Sequence, residues 1–298
     1  MKRLAIVVTT LLTACYGVDS TEGFWEPVET IEGILAPEVG PPPTAVAPPR
    51  GNVLRVATWN TFRAPDPELL AREYFESPNL SRADVLLIQE VETHDDEPSS
   101  RASRLAAALG MTYVFAPARR EGYVHGIAIM SRYPITNARV MRLPLGEAAF
   151  NENARNALAA ELVIGDRVIT LVDLHLDVRI GIVDRIRQLH PVVTQVPTNV
   201  AIGGDYNTNP WAWVSTTVPL TSTEAIVGQD QATVLDDYMA DLGFTSPISP
   251  DEVTFNKPLL DHMRLDNVFV RGYRVLDQGI AKEVEGSDHW PVWVDLQL

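Results

Sequence analysis

Asp205 and Asn207 stand two residues apart in Ile202-Gly203-Gly204-Asp205-Tyr206-Asn207, directly after the apolar run Asn199-Val200-Ala201-Ile202. A carboxylate and a neutral amide at a strand's end suit a hard cation, or a water attacking phosphorus. The two glycines let the backbone pass close to a ligand or a neighbouring strand. An ordinary Asx-type turn would use the same residues without any chemistry. Repetition favours the chemical reading, because Asn60, Glu90, His175 and the pair Asp288-His289 lie at comparable positions beside apolar runs. Tyr206, between the two polar side chains, alternates to the opposite face and is expected in the core.

The elements that must carry these residues can be read from periodicity. Leu54-Arg55-Val56-Ala57-Thr58-Trp59 alternates like a strand and delivers Asn60. Asp84-Val85-Leu86-Leu87-Ile88-Gln89-Glu90 is apolar in the manner of a strand buried on both faces, and ends in a carboxylate. Residues 156–163 and 167–174 read as a hairpin about Gly165-Asp166, the second strand leading into His175-Leu176-Asp177. Further strands are expected over 112–115, 124–130, 138–143, 265–270, 273–276 and 291–296. Helices are expected over 66–76 with Pro67 in the first turn, 99–109 stopped by Gly110, and 233–242 ended by Gly243. Another over 182–193 should be shortened by Pro191. Two packed sheets with helices outside bury this pattern, and polar groups at several strand ends then share one cleft. The bland alternative is a structural α/β domain with scattered polar caps.

Composition limits the partners. The chain of 298 residues is 46% apolar with a net charge of -15, enough for a core but acidic throughout. Nonspecific nucleic-acid binders bring a basic footprint, so a broad nucleic-acid surface is disfavoured. An acidic wall can still hold divalent cations and admit a phosphate through them. Met1-Lys2-Arg3, the short apolar stretch 4–12 and Leu12-Thr13-Ala14-Cys15 resemble a bacterial lipoprotein signal. On that reading residues 1–14 are removed and Cys15, the single cysteine, is lipidated. Residues 15–50 form an acidic, proline-rich tether, and 51–298 form the folded domain. The expected location is the cell envelope, at the outer membrane, as a monomer.

The ordered segments Thr58-Trp59-Asn60, Ile88-Gln89-Glu90, His125-Gly126-Ile127-Ala128-Ile129-Met130-Ser131-Arg132, Asp173-Leu174-His175-Leu176, Gly203-Gly204-Asp205-Tyr206-Asn207, Arg264-Leu265-Asp266-Asn267-Val268 and Ser287-Asp288-His289 resemble the endonuclease/exonuclease/phosphatase superfamily. These are metal-dependent phosphoesterases related to pancreatic-type deoxyribonuclease. The resemblance implies an α/β four-layer sandwich of two mostly antiparallel sheets flanked by helices. It also implies a hydrolase that uses Mg²⁺, with Mn²⁺ or Ca²⁺ as alternatives.

Glu90 is the leading metal ligand, since a divalent cation would resolve the cost of a buried carboxylate. The resemblance sets Asn60 beside the metal, orienting a ligand or the catalytic carboxylate. Asp205 and Asn207 position and activate the attacking water, with Asp205 within reach of metal. His289 is general base or transition-state donor, its tautomer fixed by Asp266. Asp288 is either a ligand for a second cation or a partner orienting Asp205 and His289. His175 donates to a nonbridging phosphate oxygen, and Arg155 either shares that task or has none.

Three features depart from the family pattern or leave the substrate open. Ile127 stands where a small polar residue is common, so a phosphate contact is missing. Asn267 replaces a frequent aromatic, which weakens any base stacking. Trp211 and Trp213 either wall the substrate or cover the sheet edge. Lys257, Arg264 and Arg271 stand apart in the sequence, with no basic insertion of the kind that grips DNA. The expected partner is a small-molecule, lipid-linked or nucleotide phosphoester. The alternatives are a nuclease for exogenous DNA or RNA, and a phosphate-binding module with a decayed centre.

Overall fold

Strands that are apolar on both faces need a layer on each side. The computed structural model describes residues 35–43, 50–120, 122–144, 155–209, 211–213, 219–222, 230–257 and 263–298. Cys15 with its signal segment, Trp25 and His262 lie outside the described residues, as do the side chains of Trp211 and Trp213. The larger sheet has the spatial order β1 (Glu38–Val39), β4 (Thr112–Arg120), β5 (Tyr123–Ser131), β3 (Val85–His94), β2 (Val53–Arg63), β14 (Val292–Gln297), β13 (Arg274–Ile280). The second runs β12 (Asp266–Arg271), β9 (Val200–Asp205), β8 (Arg167–His175), β7 (Asn156–Ile164), β6 (Ile135–Arg142). A separate hairpin pairs β10 (Trp211–Trp213) with β11 (Pro219–Ser222).

The two large sheets pack face to face through Leu87, Ile129, Leu158, Leu171, Val268 and Val294. Helices α1 (Pro67–Glu76) and α2 (Arg101–Leu109) cover the outer face of the first sheet. Helices α3 (Ile182–Gln195) and α4 (Gln231–Asp241) cover the outer face of the second. The expected layered α/β fold is present, and both sheets are mixed. All pairings are antiparallel except β2 with β3 and β8 with β9. Those two parallel pairs matter most, because each sets two strand C-termini side by side at the same edge.

Local chemistry fixes the helix ends. Asp66 Oδ1 accepts from Leu69 N at 2.9 Å with Pro67 opening α1, and Ser100 caps α2 through Ser103 N at 3.0 Å. Gly110 ends α2 at φ 68, where a side chain would be strained. Helix α3 covers the expected 182–193, and Pro191 does not shorten it, since it runs on to Gln195. Leu189, Val192 and Val193 pack on the sheet on both sides of the proline, and that burial outweighs one missing backbone bond. The stretch expected as tether also differs. Glu38–Val39 adds to the edge of β4, and Glu38 Oε1 accepts from Tyr113 Oη at 2.5 Å and Ser100 Oγ at 2.8 Å. Two residues carry no period, so no pattern announces such a strand.

Candidate active site

Strand register assembles the centre. On the second sheet His175 lies opposite Asp205, and Asp205 lies opposite Asp266, so three adjacent strands present three polar side chains in one row. Close approach makes the row: a Cβ on Gly204 would sit 2.1 Å from Leu174 O, and one on Gly203 would sit 2.5 Å from Leu87 Cδ1. Only glycine lets β9 press against β8 on one side and the facing sheet on the other. Asn207, at φ 51, turns the chain, donating from its backbone N to Asp205 Oδ1 at 2.8 Å. Its Nδ2 donates to Leu176 O at 2.9 Å. Tyr206 does turn inward, its hydroxyl donating to Ile202 O at 2.8 Å.

The first sheet closes over this row. Asn60 Nδ2 donates to Asp205 Oδ2 at 2.9 Å, and Asn60 Oδ1 accepts from Phe62 N at 3.0 Å. That second bond holds an unusual turn, since Phe62, Arg63 and Ala64 all have positive φ. Both amide atoms of Asn60 are therefore engaged in aiming Asp205.

Glu90 reaches the cleft through an irregularity in β3. Pairing with β5 shifts between Ile88 and Val91, so Glu90 sits in a bulge at φ 58. Behind it Gln89 Nε2 donates to Asp173 Oδ1 at 2.5 Å and to Thr58 Oγ1 at 3.0 Å, tying the two sheets together inside the core. Burial pushes the Asp173 carboxyl well above the usual range.

His289 forms the other wall. Its Nδ1 lies 2.8 Å from Asp266 Oδ2, and that oxygen also accepts from Thr254 Oγ1 at 2.8 Å. Burial opposes a charged ring, but Asp266, then Asp205 and Asp288, outweigh it and lift His289 to about 10. Burial pushes Asp205 upward, partly offset by His289.

His175 is held in the opposite state. Arg155 Nη1 lies 3.1 Å from its Nδ1, and an arginine can only donate. The ring nitrogen must then accept, which assigns the proton to Nε2. Burial, then the charge of Arg155, holds the ring neutral by lowering it well below its ordinary value. Nε2 lies 3.4 Å from Asp205 Oδ2 and 3.9 Å from Glu90 Oε1.

Two groups that could hold a metal ion result, each with ligand atoms within 4.8 Å of one another: Glu90, His175 and Asp205, and Asp205, Asp266 and His289. Glu90 and Asp205 bring two carboxylates to one point with uncompensated negative charge, which fits a divalent cation, while His175, its Nε2 carrying the proton, stands beside them as a donor. Asp288 joins neither group among the described residues. Its Oδ2 lies 3.6 Å from Lys257 Nζ, and its Oδ1 is buried with no hydrogen-bond partner among the described residues. Of the other basic residues, Arg264 is buried against Asp236 at 2.6 Å. His190 Nδ1 lies 2.8 Å from Tyr238 Oη, a structural contact. Ile127 is buried between the sheets, so it offers no phosphate contact.

Sequence reasoning missed Thr254, Phe255, Gln89 and Asp173 as parts of the site. Phe255 bridges to His289 and sets its ring edge-on to the imidazole at 5.0 Å. Gln89 and Asp173 lay inside recognised motifs, yet nothing in a strand pattern says that two such side chains meet across sheets. A cavity of about 240 Å³ opens over the row, and its lining includes Glu90, Arg155, His175, Asp205 and His289.

The model of the Endonuclease/Exonuclease/phosphatase family matches residues 57–289. The chain belongs to the endonuclease/exonuclease/phosphatase family. A family protein from Beutenbergia cavernae has a similar structure, with TM-score 0.63, 22% identity, and 83% of this chain and 72% of that one covered. One from Leptotrichia buccalis has TM-score 0.61 at 16% identity, covering 82% and 100%. The human Nocturnin catalytic domain, solved with a bound sulfate anion, has TM-score 0.54 at 16% identity, covering 82% and 94%. At these identities the likeness shows the fold. Comparison with curated proteins gives no match. The two carboxylate–histidine clusters fit the metal-dependent hydrolase centre of this endonuclease/exonuclease/phosphatase fold.

Proposed function

We propose that the protein is a divalent-metal-dependent phosphoester hydrolase, a phosphomonoesterase or phosphodiesterase acting by attack of water on phosphorus. The observation that carries this is the sharing of Asp205 between two carboxylate–histidine clusters drawn from both sheets. Glu90 and Asp205 would hold the cation, which supplies charge neutralisation at the phosphate and a more acidic water. Mg²⁺ is the expected ion.

The chain's own residues divide the remaining work. Asp205, raised by burial and steered by Asn60 and Asn207, takes the proton of the attacking water. His289, kept protonated by Asp266, donates to the charge that develops on phosphorus oxygens or the leaving group. His175 offers Nε2–H to a nonbridging oxygen, with Arg155 fixing its tautomer and adding positive charge. Of the two roles open to His289, general base or donor, this reading takes the donor, since a ring kept protonated by Asp266 is a poor base.

The net charge of -15 favours a small phosphoester over a polynucleotide. A panel of phosphomonoesters, phosphodiesters, plasmid and single-stranded DNA, assayed with Mg²⁺, Mn²⁺ and Ca²⁺, tests the reading. Wild type should hydrolyse small esters, while Glu90→Ala and His289→Ala should be silent; wild-type silence with every metal contradicts it. A lipid on Cys15 would place this centre at a bacterial outer membrane. That part rests on residues 1–15 alone, and palmitate labelling that persists in Cys15→Ala would remove it.

A further inference from the structure

The cavity over the catalytic row is two-sided in character. Beside the polar residues stand Val178, Phe255, Met263 and Leu265, contributed by three separate segments. Resting on the phosphoesterase reading, we infer that this wall is a subsite for the group esterified to phosphorus, and that the group is compact and apolar, an aryl or short alkyl alcohol.

The wall is built, and built rigidly. Val178 O accepts from Arg185 Nη2 at 3.0 Å and from Asn209 Nδ2 at 3.0 Å, and Arg185 is completely buried. Leu265 N donates to Thr254 Oγ1 at 2.9 Å, and Thr254 N donates to Met263 O at 3.1 Å. Thr254 is the residue that also supports Asp266, so the apolar wall and the His289–Asp266 pair share one anchor. Phe255 extends the wall to within ring contact of His289. An apolar face fixed this close to the reacting atoms is pre-formed for its ligand.

The chemistry of the wall selects the occupant. A sugar or a further phosphate placed against these four side chains would lose hydrogen bonds to water and find none from them in return. Asn209, the polar residue on that side, gives its Nδ2 to the carbonyls of Val178 and Asn207. The size agrees. An apolar cavity of about 150 Å³ takes a benzene ring. The 240 Å³ here then accommodates a phosphate with one ring or a short chain.

Calorimetric titration of the full protein, with saturating Mg²⁺, with phenylphosphonate, methylphosphonate and inorganic phosphate tests the inference. Wild type should bind phenylphosphonate on the order of tenfold more tightly than methylphosphonate. Met263→Gln, a polar replacement of similar length, should erase most of that preference and leave methylphosphonate affinity unchanged. Val178→Thr, which keeps the shape, should reduce it in the same direction. Equal binding of the two phosphonates by wild type overturns the apolar subsite and leaves the hydrolase reading intact. Equal loss for both ligands in Met263→Gln also overturns it. Failure of all three ligands to bind overturns the subsite and the phosphate centre together.

Discussion

Asp205 accepts from Asn60 Nδ2 on one oxygen and from Asn207 N on the other, so its orientation is set before any ligand arrives. Asp205→Asn keeps the shape and removes the proposed base, so kcat should fall about a thousandfold with the melting temperature nearly unchanged. A variant within tenfold of wild type would remove Asp205 from the chemistry. His289 gives a prediction in pH. Its folded pKa is raised to about 10, so the donor proton is present below that value and lost above it. The kcat/KM profile should therefore decline as pH rises through about 10. Asp266→Asn removes the largest charge supporting the ring and should move that decline to lower pH; a limb that stays in place contradicts the pairing. Asp205, Glu90, His175 and His289 were legible in the sequence because each stands beside an apolar run, and Asp266 through the resemblance of Arg264-Leu265-Asp266-Asn267-Val268 to a family motif. Thr254 was not, because it sits in an aperiodic stretch and its role depends on a contact with Asp266 on a different segment.

At the scale of elements, β9 is where sequence and structure agree most closely. The Gly203-Gly204 pair announced a close approach, and the structure shows two, one to β8 and one to the facing sheet. Gly204→Ala should be strongly destabilising, by about 3 kcal/mol or more, because the new methyl meets a backbone carbonyl that cannot move without breaking the β8–β9 ladder. Thermal denaturation measures it, and a loss below about 1 kcal/mol would refute the packing argument. Strand β3 was legible as a buried strand, but its bulge at Glu90 was not. The bulge is accompanied by the cross-sheet link from Gln89 to Asp173, and a one-dimensional pattern carries no information about which strands face each other. Helix α3 shows the same limit, since proline's local penalty was visible and the packing that overrides it was not.

For the whole molecule, the layers followed from composition and alternation, whereas the joining of distant parts did not. Arg55 and Asp295 form a buried two-pronged pair at 2.6 and 2.7 Å, with the guanidinium 3.7 Å from the Trp293 ring centre. Asp295→Ala leaves that guanidinium buried without its carboxylate, with Asn79 O still accepting from Nη1 at 3.0 Å, which should cost about 3 kcal/mol in unfolding free energy while activity per folded molecule stays within twofold. Unchanged denaturant midpoint would show that the pair is dispensable. The acidic balance of the chain acts at this scale too, favouring small anions brought in with a cation over a polyanion bound along a surface.

The proposed centre holds a divalent cation between strand tips of both sheets for phosphoester hydrolysis. Its most direct test is a Mg²⁺ titration of hydrolysis by chelator-treated protein, wild type beside Glu90→Gln. Wild type should be silent without metal and rise to a plateau, while Glu90→Gln should need far more Mg²⁺ and remain at least a hundredfold slower. Full activity in chelator, or identical titrations for the two proteins, would contradict it.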